Sequence, residues 1–213
     1  SSSVNTTIAL RGIPEDYDGW ADLGNSAWQW ENVLPAFKRL ERDLDFGHLS
    51  YHGDAGPISI RRYPKEERVP QQEAFLDAAE QLGYPLCEDQ NDPQGWGAGP
   101  QPMNKIGRLR VSSAGAYLAP IRLRPNLEIR SQSTVTRLLF DNKKCIGAEV
   151  LTLTGETKRY EAKTTVLCAG AIMSPAIMLR SGIGPKKELE AHGIATVADV
   201  PGVGKNLCDH PAL

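Results

Sequence analysis

The chain has 213 residues, 40% of them hydrophobic, so it can bury a core in one large domain or two small ones. Its 24 basic and 26 acidic side chains are dispersed and give a formal charge of −2, which excludes the basic surface that nucleic-acid binding requires. No apolar run approaches the ~20 residues that span a bilayer, and no signal peptide is visible. The compartment stays open, with a cytoplasmic location favoured.

The first half of the chain predicts short helices separated by loops. Residues 1–30 are expected to be loop-rich because glycine and proline interrupt any apolar period. Apolar residues at helical spacing predict an amphipathic helix over 31–42, and a second helix opens at Pro70 and stops at Gly83. The other predicted elements are a small strand over 58–61, a loop over 92–102 and a capped helix over 112–118.

Beyond Asn126 the pattern changes to strands. The β-rich segments are residues 127–130, 134–140, 146–152, 157–161 and 164–168. Turn compositions at 141–144 and 154–156 separate three of them. This pattern predicts an antiparallel meander that returns to the last strand.

Residues 168–185 combine that last strand with an Ala-Gly-Ala turn and a helix. Ser174 suits an N-cap, Pro175 the first helical position, and Gly182 the left-handed residue that ends a helix. A turn of small residues lets an anion or a planar ring lie against bare backbone. Such turns more often serve strand-to-helix packing, so this one alone leaves both interpretations open. The four cysteines form no Cys-x-x-Cys pair and indicate neither a zinc site nor a disulfide framework.

Further motifs accompany this turn along the whole chain. They are Ser1–Asn5, Arg11–Gly12, Asp16–Trp20, Trp28–Phe37, Tyr51–Gly53, Gly56–Pro57, Ser113–Pro120, Arg124–Leu127 and Gly202–Pro211. In this order they resemble the glucose-methanol-choline (GMC) oxidoreductase family, whose members are FAD-dependent alcohol oxidases and dehydrogenases. Several motifs in the family order are far more specific than any one of them.

The resemblance implies an α/β fold, with part of a Rossmann-like FAD-binding domain, its antiparallel β-meander and part of an α+β substrate domain. It assigns residues 1–32 to a flavin-contacting loop, 33–125 to the substrate domain and 126–213 to the FAD domain. Family members begin with a Gly-x-Gly-x-x-Gly turn that holds the FAD pyrophosphate, and they end with a segment carrying the catalytic histidine. We therefore expect this chain to be an internal piece that is inactive alone and does not retain FAD.

The resemblance also implies cofactor-binding residues at the start of the chain. These are Ser1, Asn5, Thr6, Thr7 and Ile8. Fixed hydrogen-bond donors near the flavin ring would stabilise the negative charge that develops when the ring accepts a hydride.

Three more cofactor-binding residues are implied in the second half. The backbone of Val135 corresponds to the family position that meets the adenine. Ala169 and Gly170 lie in the small-residue turn, where a Cβ on Gly170 would clash with the dinucleotide.

No catalytic or metal-binding residue is assigned in this chain. The Asp209-His210 pair suggests a base and its orienting carboxylate, but sequence neighbours rarely face each other, and the family's base lies far downstream. His48, His52 and His192 show no ligand spacing and are predicted to be surface or loop residues.

The resemblance implies oxidation of a small-molecule alcohol, and the composition predicts neither a nucleic acid nor a membrane as partner. Short-chain alcohols and choline-like substrates are the nearest analogies. Two alternatives stay open: a hydroxynitrile lyase of the same family, and a structural or binding piece without catalysis.

Overall fold

The computed structural model describes residues 2–209 of the chain. The chain consists of two compact units, Ser1–Leu127 and Glu128–Leu213. Among the described residues, none of the helices is both long and apolar enough to cross a membrane.

Three α-helices lie in the first unit: α1 (Pro14–Asp22), α2 (Trp30–Leu40) and α3 (Pro70–Gln81). The predictions of α2 and α3 are confirmed with small shifts at their ends. Pro70 occupies the first helical position of α3, where its missing N–H breaks no hydrogen bond, and Gly83 follows the helix with φ of 85°.

Helix α1 contradicts the loop predicted for residues 1–30. Pro14 opens it, and the Asp16 carboxylate accepts the backbone N–H of Ile13 at 3.0 Å. Gly19 lies inside the helix, so a glycine that suggests a loop is tolerated where these start signals and tertiary packing favour a helix.

An aromatic cluster supplies that packing. The ring centroid of Tyr17 lies 5.5 Å from that of Trp20, 5.6 Å from Phe37 and 5.8 Å from Trp30. A helix of 9 residues is too short to be stable alone in water, so these contacts between α1 and α2 stabilise it.

The strands of the first unit are short. Strand β1 (Glu41–Asp43) pairs in parallel with β2 (Ile58–Ile60), and β3 (Lys105–Ile106) pairs antiparallel with β4 (Leu109–Arg110). Single bridges join Met103 to Ile8 and to Arg61, which attaches the start of the chain to the end of β2. Residues 92–102 form the predicted loop, and Ala114–Leu118 forms a π-helix within the predicted helical segment.

The second unit contains the predicted meander. Strands β5 (Ser133–Asp141), β6 (Lys144–Thr152) and β7 (Thr157–Glu161) form an antiparallel sheet in chain order. Asn142 and Gly155 adopt positive φ angles of 52° and 81° in the two connecting turns. A bulge leaves Thr136 without a partner between Val135 and Arg137.

Two of the predicted strands are wrong. Residues 127–130 and 164–168 are extended or irregular and pair with no strand of the described chain. Thr164, Thr165 and Val166 are β-branched and suit a strand, but composition forms a strand only where a neighbouring strand offers hydrogen bonds. Val166 is 77% exposed, so the second segment buries little of its apolar surface within this unit.

Helix α4 (Gly170–Arg180) starts earlier than predicted. The predictions of Ser174 as the N-cap and Pro175 as the first helical residue are wrong, because Ala169 occupies the N-cap position. The Ser174 hydroxyl lies inside the helix and accepts the Ala169 N–H at 3.0 Å. Pro175 therefore lies within the helix. Gly182 has φ of 83° and ends the segment as predicted.

The rest of the second unit packs around α4. Strands β8 (Ile183–Gly184) and β9 (Ala198–Asp199) pair in parallel, and α5 (Lys186–Ala191) lies between them in sequence. Ile177, Leu189 and Val150 are 3%, 2% and 6% exposed and form the buried apolar core of this unit.

Candidate functional site

The segment Asn5–Ile8 is fixed most firmly at Thr7. That residue is buried with φ of 71°, and its carbonyl oxygen accepts the Asn104 backbone N–H at 2.8 Å. Asn5 and Thr6 are exposed, and Ile8 is 48% exposed. The segment thus has an anchored backbone and accessible polar side chains on either side of that anchor.

A cavity of about 430 Å³ lies beside this segment. Thr6 and Ile8 line it together with Phe75, Leu76 and Met103. Its volume falls within the range of roughly 300–1,000 Å³ that is common for small-molecule sites. An apolar wall with a few polar groups at its edge is typical of such sites.

In the second unit, Val135 lies in β5 opposite Val150, directly before the bulge. The bulged Thr136 offers its carbonyl oxygen to Arg180 Nε at 2.8 Å. The bulge therefore ties the start of β5 to the C-terminal end of α4.

Gly170 opens α4 with φ of 84°, a left-handed conformation that favours glycine. A Cβ placed there would meet no atom of the described chain within 4 Å. Tight strand-to-helix packing therefore does not explain this glycine. Ala169 and Gly170 are both exposed, and the backbone in front of them is open.

The first unit contains a buried charged cluster that the sequence did not predict. Its members are Arg11, Glu41, Asp43, His52, Arg62 and Asp89, whose side chains are at most 8% exposed. His52 was predicted to be a surface or loop residue: it lies in a loop, but it is not at the surface, because its side chain is 0% exposed. His48 and His192 are exposed, as predicted.

Both ring nitrogens of His52 contact carboxylates. Nδ1 lies 2.8 Å from Glu41 Oε1 and 3.3 Å from Asp43 Oδ2, and Nε2 lies 2.7 Å from Asp89 Oδ2. Arg62 donates to Asp43 at 2.6 Å and to Asp89 at 2.5 Å. The same two aspartates are therefore held by the imidazole and by a guanidinium.

The pKa values follow from these contacts. Burial lowers the pKa of His52, but hydrogen bonds to Asp89 and Glu41 and the nearby carboxylate charges outweigh it and raise the pKa to about 9. Burial raises the pKa of Asp89, but hydrogen bonds from His52 and Asn91 and the charge of Arg62 bring it down to about 2.

Glu41, Asp43 and His52 could each offer a ligand atom to a metal ion, because these atoms lie within 4.8 Å of one another. In this structure the imidazole and the Arg62 guanidinium already hydrogen-bond to the carboxylates. The cluster is therefore balanced by side-chain cations, and the arrangement does not require a metal.

Comparison with known proteins identifies the family of this chain. The family described as GMC oxidoreductase matches residues 1–212. The chain belongs to the GMC oxidoreductase family. Members of this family are FAD-binding oxidoreductases, which confirms the α/β, FAD-domain fold expected from the sequence.

Individual relatives agree. Over the whole of this chain, the 5-(hydroxymethyl)furfural oxidase of Methylovorus sp. is 43% identical, and the oxygen-dependent choline dehydrogenase of Pseudomonas putida strain KT2440 is 42% identical. The crystal structure of pyridoxine 4-oxidase from Mesorbium loti is 36% identical, with a TM-score of 0.87 over 94% of this chain. The chain spans 40%, 38% and 39% of these proteins, in that order.

The residues around the Ala169–Gly170 turn fit a dinucleotide. Gly170 presents open backbone at a helix N-terminus, where the helix dipole and free N–H groups favour an anion. In the strand-like segment before it, the Thr165 hydroxyl is buried without a hydrogen-bond partner among the described residues. A buried hydroxyl without a partner is what a bound polar group would satisfy.

Several assignments stay predictions. The structure describes Asn5–Ile8 in the first unit and Val135, Ala169 and Gly170 in the second, and their roles as cofactor contacts stay predictions. Ser1 and His210 lie outside the described residues, so the role of Ser1 and the exclusion of His210 as base also stay predictions.

Proposed function

We propose that this chain is part of an FAD-dependent oxidoreductase that oxidises the CH–OH group of a small alcohol. The observation that carries this proposal is Gly170: its backbone at the start of α4 is left-handed, exposed and free of neighbouring chain atoms. The left-handed backbone itself favours glycine, and the open space in front of it, together with family membership, supports a ligand at this position.

In this proposal, the second unit holds the dinucleotide. The Ala169–Gly170 turn lets the anionic part of FAD approach bare backbone, and the backbone of Val135 meets the adenine. When bound, FAD supplies the acceptor for the hydride that leaves the carbinol carbon.

The first unit supplies the flavin-facing segment. Asn5 and Thr6 would donate hydrogen bonds to the ring side that gains negative charge, because their side chains are exposed while Thr7 anchors the backbone. The hydroxyl proton of the alcohol requires a base. We propose that this base is a histidine outside this chain.

A small, partly apolar alcohol suits the cavity beside Ile8 and Phe75. The relatives are named for 5-(hydroxymethyl)furfural, choline and pyridoxine, each a small molecule with a hydroxyl group. These three compounds are therefore the first substrates to test.

The proposal is tested on the full-length protein that contains this chain. We expect stoichiometric flavin absorbance, and anaerobic addition of an active alcohol should bleach it. Flavin that stays oxidised while a hydroxynitrile is cleaved would show the lyase alternative instead. A full-length protein without flavin would contradict the proposal. The 213-residue chain alone is expected to purify colourless.

A matched pair of variants tests the role of Gly170 in FAD binding. Gly170→Val should lower flavin content in the full-length protein, because its Cβ would enter the space of the dinucleotide. Gly155→Val is the control: this glycine also has positive φ and open surroundings but lies in the β6–β7 turn. Equal flavin content in both variants would exclude a role for Gly170 in FAD binding.

A further inference from the structure

The buried environment of His52 determines its protonation state. Its two ring nitrogens lie 2.8 Å from Glu41 and 2.7 Å from Asp89. An ionised carboxylate can only accept a hydrogen bond, so each of these short contacts needs a proton on the nitrogen. Two such contacts require the doubly protonated imidazolium.

The charges of the cluster lead to the same state. The carboxylates of Glu41, Asp43 and Asp89 face the guanidinium groups of Arg11 and Arg62. With a neutral His52 the buried cluster would carry one uncompensated negative charge, and a buried unpaired charge is strongly unfavourable. With an imidazolium, cations and anions balance.

The remaining groups around the ring fit this arrangement. The Tyr51 ring centroid lies 4.9 Å and the Phe46 ring centroid 6.3 Å from that of His52. The Gly53 N–H donates to the same Glu41 oxygen at 3.1 Å. Burial and the charges of Asp92 and Asp89 raise the pKa of Tyr51 to about 12, so its phenol stays neutral while His52 titrates. Asp45 also approaches the cluster, at 3.6 Å from Arg62.

A chain of hydrogen bonds leads from this cluster to the start of the chain. Asp89 Oδ1 accepts the Asn91 backbone N–H at 3.0 Å. The Asn91 side chain donates to the Ala9 carbonyl oxygen and accepts the Arg11 N–H, both at 3.1 Å. Arg11 in turn donates to the Tyr51 carbonyl oxygen at 2.9 Å.

This path ends directly beside the flavin-facing segment. Ala9 follows Ile8, and its own N–H donates to the Pro102 carbonyl oxygen at 2.8 Å. The backbone after Asn5–Ile8 is thus fixed from one side by Asn91 and from the other by Pro102. A change at Asp89 or Asn91 would release the first of these two supports.

We propose that His52 is a positioning residue: its imidazolium holds Glu41, Asp43 and Asp89 together and, through Asp89 and Asn91, fixes the backbone that carries Asn5–Ile8 against the flavin. The part of this proposal that concerns flavin rests on the proposed function. The imidazolium itself rests on the contacts of His52 alone. His52 touches neither substrate nor cofactor in this assignment.

The protonation state is measured first, on the unmodified full-length protein. Nitrogen-15 NMR of selectively labelled histidine separates an imidazolium from either neutral tautomer, and His52→Gln identifies the His52 signal by its loss. We expect the imidazolium at pH 7, losing its proton as pH rises through about 9. A neutral His52 ring at pH 7 would overturn the proposal whether or not the protein binds FAD.

The positioning role is measured as FAD affinity. Replacing His52 with glutamine leaves one carboxylate without a donor, so His52→Gln should weaken FAD binding by about tenfold, an effect typical of losing a hydrogen bond to a charged group. His48→Gln is the matched control, because this histidine is exposed in the same unit. It should bind FAD as the unmodified protein does.

A charge-compensated variant keeps the test valid if His52→Gln folds poorly. His52→Gln/Glu41→Gln removes one negative charge together with the positive one, so it should recover part of the affinity. The unmodified protein should bind FAD more weakly as pH rises through about 9, and the double variant should lack this dependence. Unchanged affinity in His52→Gln, or an identical pH profile in the double variant, would refute the positioning role. An unmodified protein that binds no FAD would instead refute the proposed function.

Discussion

The two units of this chain fix their irregular segments by different means. In the first unit, buried charged side chains fix the loops. His52 and Arg62 contact both β1 and Asp89, and the Asn91 side chain donates a hydrogen bond to the Ala9 carbonyl oxygen. In the second unit, single hydrogen bonds connect the elements: the Ser181 hydroxyl accepts the Leu138 N–H, and the exposed Arg180 Nε donates to the Thr136 carbonyl oxygen, both at 2.8 Å.

This difference determines how each unit should respond to change. A buried ion pair adds little net stability over an apolar packing, but removing one partner leaves a costly unpaired charge. The first unit should therefore be sensitive to single charge changes and to pH. The second unit exposes open backbone at Gly170 and the side chain of Val166, so it should respond mainly to loss of local hydrogen bonds and to a bound ligand.

The largest expected effect is the loss of Arg62. Arg62→Met leaves Asp43 and Asp89 without their guanidinium, and breaking a buried pair costs about 3–5 kcal/mol of unfolding free energy. Urea unfolding followed by tryptophan fluorescence measures it, because all 4 tryptophans of the chain lie in the first unit.

Arg159→Met is the control for this variant. Arg159 pairs with Glu149 at 3.7 Å, but its side chain is 67% exposed, so its loss should change the unfolding free energy by less than about 1 kcal/mol. Far-UV circular dichroism follows the urea unfolding of both variants, because the tryptophans report only on the first unit. Equal effects of the two variants would show that burial of the charges does not distinguish the two units.

The second prediction concerns pH. The folded-state pKa of His52, about 9, lies above its ordinary value of 6.5, so its stabilising contribution is complete below pH 6.5 and is lost as pH rises through about 9. Hydrogen exchange of backbone amides, measured by mass spectrometry at pH values on both sides of this window, reports each unit separately. After correction for the intrinsic exchange rate, β1 and β2 should lose protection while β5–β7 keep theirs. Loss of protection in both units alike would contradict the comparison.

A smaller effect is expected from Ser181→Ala in the second unit. The Ser181 hydroxyl accepts the Leu138 N–H and donates to the Ile177 carbonyl oxygen at 2.6 Å, so its removal leaves a partly buried N–H unpaired between β5 and α4. The cost should be about 1–3 kcal/mol. Ser133→Ala is the control, since that hydroxyl bonds only a neighbouring exposed carbonyl. Circular dichroism follows the unfolding of both, and equal midpoints would show that the Ser181 bonds contribute nothing.

The sequence predicted the elements that depend on local signals. Helix α3 begins at a proline and is followed by a glycine, and the meander alternates β-rich segments with turn residues, so neighbouring residues suffice to define them. The cofactor residues came from the family resemblance, because a single valine or glycine carries no functional information of its own.

The parts that sequence analysis missed depend on distant residues. The burial of His52 follows from Glu41, Asp43 and Asp89, which lie as many as 37 positions away along the chain. The only local signals were the Tyr51–Gly53 motif and the two acids on alternate positions of β1, and neither indicates a partner. Residues 164–168 have strand composition, but no strand of the described chain pairs with them.

The smallest predicted effect concerns α1, where the loop prediction was wrong. If Asp16 starts this helix, Asp16→Ala should remove the acceptor of the Ile13 N–H and cost about 0.5–2 kcal/mol. Glu15→Ala is the control, because Glu15 adds a negative charge to the same first turn without accepting that N–H. Fluorescence-detected urea unfolding suits both variants, since Trp20 lies in α1. A lower unfolding free energy in Asp16→Ala alone would show that the cap, and not the charge near the helix dipole, starts α1. Equal small losses of unfolding free energy in both variants would indicate that the aromatic packing of Tyr17 against Trp30 and Phe37 of α2 is enough to form the helix.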